Sequence, residues 1–419
     1  ETLGKRLAAL GNDDALRRDM GEKLYEKASR DFSIQKTVDT QLHIYQEILR
    51  RSHREKKARD GVVICGAYGR GNAGDDAILD AILQEMRSLD PDMPVTVLSK
   101  DPAATRLTYR VRSIHRSHVL SWRHAMRKSV LYINGGGSLI QDVTSRRSLW
   151  YYLYNIRSAH ALGCRVQMYG CGIGPVTRDK HRRMAARTLN DCVDVITLRE
   201  PDSQAELQTM GVTKPRILLT ADPALTLSAA TEDETDSVLL RAGIPPRGRY
   251  LCFALRRWPG FEAAAPAIRA AAAYAYETYG LTPVFLSVEK HLDPGAGRIA
   301  ADGLAVPHYF LDDAGGAGTI IGALSRMEAV VSMRLHALIF AAGQGIPLVG
   351  LGYDPKVSAF LRYIGQEQFQ DLSALTEESL RRMIDRAVEQ SRDRAAQAAA
   401  VQRLQAMEHR NVQAAQSLL

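Results

Sequence analysis

Short apolar runs alternate with helical segments along most of this chain. Each run ends in a turn that contains glycine, aspartate or proline, and this rhythm is typical of a parallel sheet whose strands are joined by helices. A polar stretch, ATEDETDS, interrupts the rhythm once, after which it begins again. The runs are VVICG, VTVLS, VLYIN, VQMYG, DVITL and ILLTA in the first series, and YLCFAL, TPVFLSV, AVVSM and IPLVGLG in the second.

This pattern predicts an α/β fold in which two Rossmann-like domains face a cleft. We expect a helical segment over residues 1–60, a first Rossmann-like domain over 61–235 and a second over 236–370. Long helices rich in alanine and arginine are predicted over 371–419. No apolar run approaches the roughly 20 residues that a membrane span needs.

The cysteines and the net charge exclude some classes of function and favour others. The five cysteines lie in or beside predicted strands and show no C-x-x-C or Cys/His spacing, which argues against a zinc site and against a disulfide framework. We predict a cytoplasmic protein, since no export signal pattern opens the chain. The 55 basic and 47 acidic residues give a net charge of +8, which suits a phosphorylated substrate or an anionic membrane surface as well as nucleic acid.

A glycine fingerprint, G-x-G-x-x-G, follows the first predicted strand, with glycines at Gly69, Gly71 and Gly74. This spacing is typical of a dinucleotide-binding turn. Here Asp75 and Asp76 follow at once, and two carboxylates would repel a pyrophosphate at the helix N-terminus. The second strand also ends without the acidic residue that holds the ribose of NAD, although a basic residue there would suit NADP. We predict that the glycines let the backbone approach another group, and that no cofactor binds.

Polar residues and glycines follow several strands, at the edge where open α/β sheets bind ligands. The cationic candidates are Arg199, Arg334, His336 and Lys356. Arg334 and His336 are two positions apart, so both can face one ligand only if Arg334 precedes the first helical turn. The remaining candidates are Asn72, Asp75, Asp76, Asp142 and Asp222, with the glycines Gly135, Gly136 and Gly137.

Structural roles for these residues stay open from the sequence alone. Arg199 could pair with the neighbouring Glu200, and Asp142 could pair with Arg146 or Arg147. Asp222 precedes a proline, as turn residues do. The two aspartates after the fingerprint are also common at the start of a helix.

Six motifs together resemble the polysaccharide pyruvyl transferase family, most closely its bacterial branch that pyruvylates secondary cell wall polymers. The resemblance extends from residue 62 to about 365, in the family's order. It departs from the family pattern twice, because R-D-x-x-S reads REPDS from Arg199 and G-D-E reads GDD from Gly74, and both departures keep the charge. The motifs are GAYGRGNAGDDAIL, INGGGSLIQDVTSRRSLWYY, GCGIGP, TLREPDSQAEL, TADPAL and SMRLHALIFAAGQGIPLVGLGYDPKV.

The resemblance implies a fold like that of the GT-B glycosyltransferases, phosphoenolpyruvate as donor, and a pair of sugar hydroxyls as acceptor. The acceptor would be an N-acetylated aminosugar in a lipid-linked cell wall glycan, of the kind that anchors S-layers. A donor with a carboxylate and a phosphate needs cations and proton carriers. We therefore assign catalysis to His336, Arg199 and Lys356, donor binding to these three and Arg334, and acceptor binding to Asn72, Asp75, Asp76, Asp142 and Asp222, with no metal.

The N-terminal segment resembles the closing helices of a family-4 glycosyltransferase. Two other functions therefore stay open, a nucleotide-sugar-dependent glycosyltransferase of the same fold and a non-catalytic glycan-binding module. Because a lipid-linked acceptor lies at the membrane, we expect a peripheral protein at the inner face of the plasma membrane. Basic stretches such as RRSHREKKARD and HRRMAARTLNDC would supply the attraction. We predict no nucleic-acid partner.

Overall fold

The computed structural model describes residues 3–52, 57–352, 355–391 and 395–419, so that part of RRSHREKKARD lies outside the described residues. The chain divides into two compact units, Glu1–Lys57 and Ala58–Leu419. In the first unit the predicted helices are confirmed, and large apolar side chains such as Leu24 and Ile34 are exposed. The helices are α1 (Leu3–Asn12), α2 (Asp14–Asp31) and α3 (Ile34–Ser52).

The second unit contains two parallel sheets. The seven strands of the first sheet are β1 (Val62–Cys65), β2 (Val95–Ser99), β3 (Arg112–His115), β4 (Leu131–Ile140), β5 (Arg165–Ile173), β6 (Val195–Leu198) and β7 (Arg216–Leu219). Their order is β3-β2-β1-β4-β5-β6-β7, and every neighbouring pair is parallel. β1 is buried throughout, as expected for a strand covered by helices on both faces.

The second sheet repeats this arrangement with six strands. They are β8 (Tyr250–Ala254), β9 (Thr282–Leu286), β10 (Tyr309–Leu311), β11 (Ala329–Ser332), β12 (Leu348–Gly352) and β13 (Phe369–Asp371). Their order is β10-β9-β8-β11-β12-β13, again with parallel neighbours. The predicted class, α/β with two Rossmann-like sheets, is confirmed.

Every strand predicted from an apolar run is present, and the prediction missed three strands. β3, β10 and β13 each lie at the edge of a sheet and contain three or four residues. An edge strand has a neighbour on one side only and needs less apolar surface, so its sequence carries a weak signal.

Helices cover both faces of each sheet. In the second unit they are α4 (Ala73–Leu89), α5 (Pro102–Tyr109), α6 (Val119–Lys128), α7 (Arg146–Ala161), α8 (Asp179–Cys192), α9 (Pro201–Thr209), α10 (Glu232–Arg241), α11 (Phe261–Tyr279), α12 (Asp293–Ala301), α13 (Ala317–Ser325), α14 (Leu335–Gly343), α15 (Pro355–Tyr363), α16 (Glu377–Gln390), α17 (Ala395–Glu408) and α18 (Arg410–Gln416). None of the helices in the described ranges is both long enough and apolar enough to cross a bilayer.

The end of the chain returns to the first sheet. Asn411 of α18 is fully buried there, and its side-chain amide donates to the carbonyl of Ala221 at 3.1 Å. The Thr220 hydroxyl donates to its amide oxygen at 2.9 Å, and Gln167 of β5 donates to its backbone carbonyl at 3.0 Å. The C-terminal helices, although they follow the second sheet in sequence, therefore stabilise the first.

Candidate active site

The glycine-rich loop after β1 contacts the loop that follows β9 of the second sheet. Asn72 caps α4, because its side-chain oxygen accepts a hydrogen bond from the Gly74 amide at 3.1 Å. Asn72 also forms an isolated antiparallel bridge with Glu289, which follows β9. Beside it, the Ala73 amide donates to the Val288 carbonyl at 3.1 Å. The loop that resembles a dinucleotide-binding turn is thus held by the opposite half of the cleft.

His336 lies against the start of α4, on the second-sheet side of the cleft. Arg334 caps α14 with an extended backbone (φ −98°, ψ 116°) and so precedes the first helical turn, which is the condition for Arg334 and His336 to face one ligand. A Cβ at Gly74 would lie 2.0 Å from Nδ1 of His336. Glycine at this position therefore lets the α4 backbone approach the imidazole, as the sequence predicted for the fingerprint glycines.

The imidazole of His336 is neutral at pH 7. Burial lowers its pKa to about 4, and the cations Arg199, Lys356 and Arg334 act in the same direction, while Asp222 opposes them. Its Nε2 is buried and has no hydrogen-bond partner among the described residues. A buried ring nitrogen of this kind can accept a proton from a bound ligand.

Asp75, in the first turn of α4, has a pKa shifted in the opposite direction. Desolvation and the neighbouring Asp76 raise its pKa to about 7, although Lys356, Arg70 and Arg199 lower it. Because Lys356 and Arg199 act on both Asp75 and His336, the two groups share one electrostatic environment. At neutral pH a large fraction of Asp75 is a protonated carboxylic acid.

Arg199, directly after β6, is buried in an ion-pair network. Its Nη1 donates to Asp222 at 2.8 Å, its Nε donates to Glu200 at 3.0 Å, and its Nη2 donates to Ser138 at 3.2 Å. The pairing with Glu200 that the sequence left open is therefore present, and Asp222 is a second partner. These contacts use three of the five N–H donors of the guanidinium, so the described network leaves two for a ligand.

We expect Arg199→Ala to destabilise the protein by about 3–5 kcal/mol, because it leaves two buried carboxylates without their cation. Urea unfolding at pH 7 measures the loss. The matched control is Arg362→Ala, which removes an exposed pair with Asp202 (3.1 Å, side chain 63% exposed) and should change the free energy of unfolding by about 1 kcal/mol or less. Equal losses in the two variants would contradict the structural role of the network.

Arg334 is held in the same way on the second-sheet side. Its Nε donates to both carboxylate oxygens of Asp293 at 2.9 Å, and its Nη2 donates to Glu289 at 2.9 Å. Burial raises the pKa of Asp293, while Arg334 acts to lower it. Because Asp293 also accepts the amide hydrogens of Val288 and Glu289, this pair fixes the loop that meets the glycine-rich loop.

Asp142, beyond the end of β4, is engaged in a local network. It accepts hydrogen bonds from the amide and hydroxyl of Thr177 at 2.8 and 3.0 Å, and it contacts Nδ1 of His181 at 2.7 Å. Burial raises its pKa, but these hydrogen bonds outweigh burial and lower it to about 2. The described contacts of Asp142 join β4 to the start of α8, and no contact to Arg146 or Arg147 is among them.

The structure brings together Asp75, Arg199, Asp222, His336 and Lys356, which come from both sheets. The three glycines of β4 lie beside them, since a Cβ on Gly137 would lie 3.5 Å from Asp75 Oδ1. Sequence reasoning missed the residues that hold this cluster or act on it electrostatically. These residues are Arg70, Ser138, Glu289 and Asp293. Each lies shortly after a predicted strand, and that position is the signal that could have identified them.

Comparison with solved structures identifies the fold. The chain is similar to Anabaena Alr3699/HepE in complex with UDP-glucose (11% identity, 85% of this chain and 99% of that chain covered, TM-score 0.58). It is also similar to a glycosyltransferase from Rickettsia africae ESF-5 (9% identity, 86% and 98% covered, TM-score 0.58). A third is the UDP-GlcNAc 2-epimerase from Methanocaldococcus jannaschii (10% identity, 82% and 99% covered, TM-score 0.56). These likenesses confirm a GT-B-like arrangement of the two sheets.

Sequence comparison identifies the family. No curated protein matches the chain. The polysaccharide pyruvyl transferase profile matches residues 72–355, which include Gly74 at the end of the glycine-rich loop, Arg199, Asp222, Arg334 and His336, and end one residue before Lys356. The chain belongs to the polysaccharide pyruvyl transferase family.

Proposed function

We propose that this protein transfers pyruvate from phosphoenolpyruvate to two hydroxyls of a sugar, as a ketal, and releases phosphate. The acceptor is an N-acetylated aminosugar of a lipid-linked cell wall glycan, and the protein works at the inner face of the plasma membrane. The observation that carries the proposal is the pair Asp75 and His336, whose pKa values are shifted in opposite directions within one cationic cluster.

The reaction needs one group that donates a proton and one that accepts a proton. Protonation of the methylene carbon of phosphoenolpyruvate generates a cationic centre at C2, and a sugar hydroxyl attacks that centre and loses its own proton. Phosphate then leaves with the proton taken from the first hydroxyl, and the second hydroxyl attacks C2, closes the ketal and gives its proton to the group that protonated the methylene carbon. We assign the first proton donor to Asp75, which is partly protonated near pH 7, and the first acceptor to neutral His336.

The negative charges of phosphoenolpyruvate would bind at a cluster in which Arg199 and Arg334 are already paired with carboxylates. Arg199 has N–H donors left within its described network, and Lys356 acts on both Asp75 and His336. We propose that these two residues bind the carboxylate and the phosphate, with Arg334 fixing the loop beside them. Fixed cations of this kind stabilise charge that develops in the transition state without reorganisation.

The test is incubation of the protein with phosphoenolpyruvate and a synthetic aminosugar disaccharide. Transfer of a pyruvyl ketal releases inorganic phosphate and increases the acceptor mass by one pyruvyl group. Parallel incubation with UDP-glucose addresses the glycosyltransferase alternative, which would release UDP and add a hexose. Binding of the disaccharide without any product would support a glycan-binding module and contradict the proposal.

We expect pyruvyl transfer to continue in the presence of a metal chelator. Lysine and arginine side chains provide the positive charge that a divalent cation provides in other phosphoryl-binding sites. Within the described residues, no group of three or more His, Cys, Asp or Glu could hold a metal ion. Initial rates with and without EDTA measure the effect, and loss of activity that magnesium or manganese restores would contradict this prediction.

A further inference from the structure

A basic cavity of about 770 Å³ lies at the carboxyl ends of β2 and β3, at the edge of the first sheet. Gly69 belongs both to its wall and to the glycine-rich loop. One carboxylate, Asp101, lies among its charged lining residues, and that carboxylate caps α5 by accepting the Ala104 amide hydrogen at 3.0 Å. The charged and titratable residues of the basic cavity are Lys100, Asp101, Arg106, Arg112, His115 and His118.

Two donors in the basic cavity, Arg106 and His115, are held in place before any ligand binds. Arg106 donates from Nη1 to the Ser113 carbonyl at 3.3 Å, which joins α5 to β3. Nδ1 of His115 contacts the Ser117 hydroxyl at 2.6 Å and accepts the Ser117 amide hydrogen at 3.3 Å. Because Nδ1 accepts, the neutral ring carries its proton on Nε2 and presents a donor there. Such a set of positioned donors suits an oxyanion such as phosphate.

Exposed apolar side chains lie on the same helices that form the cavity wall. Leu107 of α5 is 84% exposed, and Leu120 of α6 is 86% exposed between the wall residues His118 and Ser121. Of nine exposed large apolar side chains in the described residues after position 57, six lie between positions 107 and 154. We call Leu107, Val119 and Leu120 the apolar rim.

A phosphate-binding cavity with an apolar rim matches the chemistry of a lipid that carries a phosphate. Anionic headgroups attract surface lysines and arginines, and exposed leucines gain free energy when they enter the interfacial region of a bilayer. Building on the proposed function, we propose that the basic cavity binds the phosphate of the lipid-linked acceptor while the apolar rim enters the membrane surface.

The distance between the basic cavity and the cluster of Asp75 and His336 suits a single acceptor that reaches both. Neighbouring strands are about 4.8 Å apart, so a phosphate over β2 and β3 lies about 10 to 15 Å from a sugar over β1 and β4. At least two sugar rings are needed to cover that distance between a phosphate and a reacting pair of hydroxyls. The edge of the first sheet would then bind the acceptor along its length, with the reacting sugar at Asp75.

Sedimentation with phosphatidylcholine vesicles, with and without phosphatidic acid, tests the charge component. We expect binding only with phosphatidic acid, and a decrease as salt rises. The variant Lys100→Ala/Arg112→Ala should bind at least about tenfold more weakly. The control Lys214→Ala/Arg382→Ala removes the same charge from exposed pairs elsewhere and should bind like the unchanged protein. Equal weakening by the two double variants would overturn the proposal.

A matched pair of leucine variants tests the apolar rim. Leu120→Ser should weaken vesicle binding several-fold, whereas Leu240→Ser, at a position in α10 that is 61% exposed, should not. Calorimetry with inorganic diphosphate distinguishes the sources of phosphate. Tight binding of diphosphate to a protein that does not bind phosphatidic acid vesicles would show a site for a soluble anion and overturn the lipid assignment.

These measurements need no turnover, so their outcome is separate from that of the proposed function. If pyruvyl transfer is observed, the Lys100→Ala/Arg112→Ala variant should keep its rate on a phosphate-free disaccharide and lose rate on the lipid-linked acceptor. Equal rate loss on both acceptors would contradict a phosphate site at this position. If no pyruvyl transfer is observed, vesicle binding still decides whether the basic cavity binds lipid phosphate.

Discussion

Replacing His336 with alanine is expected to decrease the rate of pyruvyl transfer by about 10²- to 10⁴-fold, which is the range for loss of a general acid or base. The protein should stay folded, because Nε2 of His336 has no hydrogen-bond partner among the described residues whose loss would leave a buried group unpaired. Steady-state rates with phosphoenolpyruvate and circular dichroism measure the two effects. An active variant would exclude His336 from the reaction.

A variant at Gly74 provides the matched control for His336. The Cβ of Gly74→Ala would lie 2.0 Å from Nδ1, so this single change should displace the imidazole and also decrease the rate. In the double variant Gly74→Ala/His336→Ala, the imidazole is absent, so the new methyl group at position 74 no longer clashes with it. The double variant should be no slower than His336→Ala alone. A further rate loss would show that Gly74 acts independently of His336.

Asp75→Asn is expected to decrease the rate by a similar factor of about 10²- to 10⁴-fold, because an amide cannot donate the proton. If Asp75 only held a sugar hydroxyl, the asparagine would keep much of the activity. For the unchanged protein, kcat/KM should decrease below pH about 4, as His336 becomes protonated, and above pH about 7, as Asp75 ionises. The pH profile of kcat/KM reports these two groups in the free enzyme.

Asp76→Asn separates the titration of Asp75 from that of the donor phosphate. The charge of Asp76 raises the pKa of Asp75, so its removal should move the alkaline limb to lower pH. The ionisation of phosphoenolpyruvate is the same for both proteins and cannot produce this shift. An unchanged alkaline limb would mean that Asp75 is not the group that titrates.

Asp75 also links stability to pH. Its pKa is raised from 3.8 to about 7 in the folded protein, so the folded state binds more protons than the unfolded state between these values. The free energy of unfolding therefore decreases as pH rises through this range and is constant, for this group, above it. Asp75→Asn removes the effect, and its advantage in stability over the unchanged protein should grow from pH 4 to pH 7, to a few kcal/mol at most. Urea unfolding at pH 5 and pH 8 measures this difference.

Local sequence was sufficient for most of the fold. Apolar runs such as Val62–Cys65 and Val195–Leu198 identified the inner strands, because a strand buried on both faces must be apolar throughout. The strand-end position of the candidates also followed, because polar residues directly after such runs lie at the ligand-binding edge. The short edge strand Arg112–His115 contains two exposed or partly exposed residues and could not be identified in this way.

The arrangement within the site depends on contacts between residues that are far apart in the chain. Arg199 pairs with Asp222, 23 positions away, and Arg334 pairs with Asp293, 41 positions away. Neither pairing has a periodic signal in the sequence, since each depends on which strands become neighbours. Of the four cationic candidates for donor binding that the sequence offered, the tertiary structure pairs Arg199 and Arg334 with carboxylates and so partly neutralises their charge.

The sequence by itself determined the order of the elements, the class of the fold and the presence of His336 within four residues of the end of a buried strand. Only the tertiary structure decided the protonation states, because these depend on desolvation and on charges from both sheets. The fingerprint glycine Gly74 illustrates the difference. Its spacing predicted a close backbone approach, but the approaching group is the imidazole of His336, 262 positions later, which the second sheet brings across the cleft.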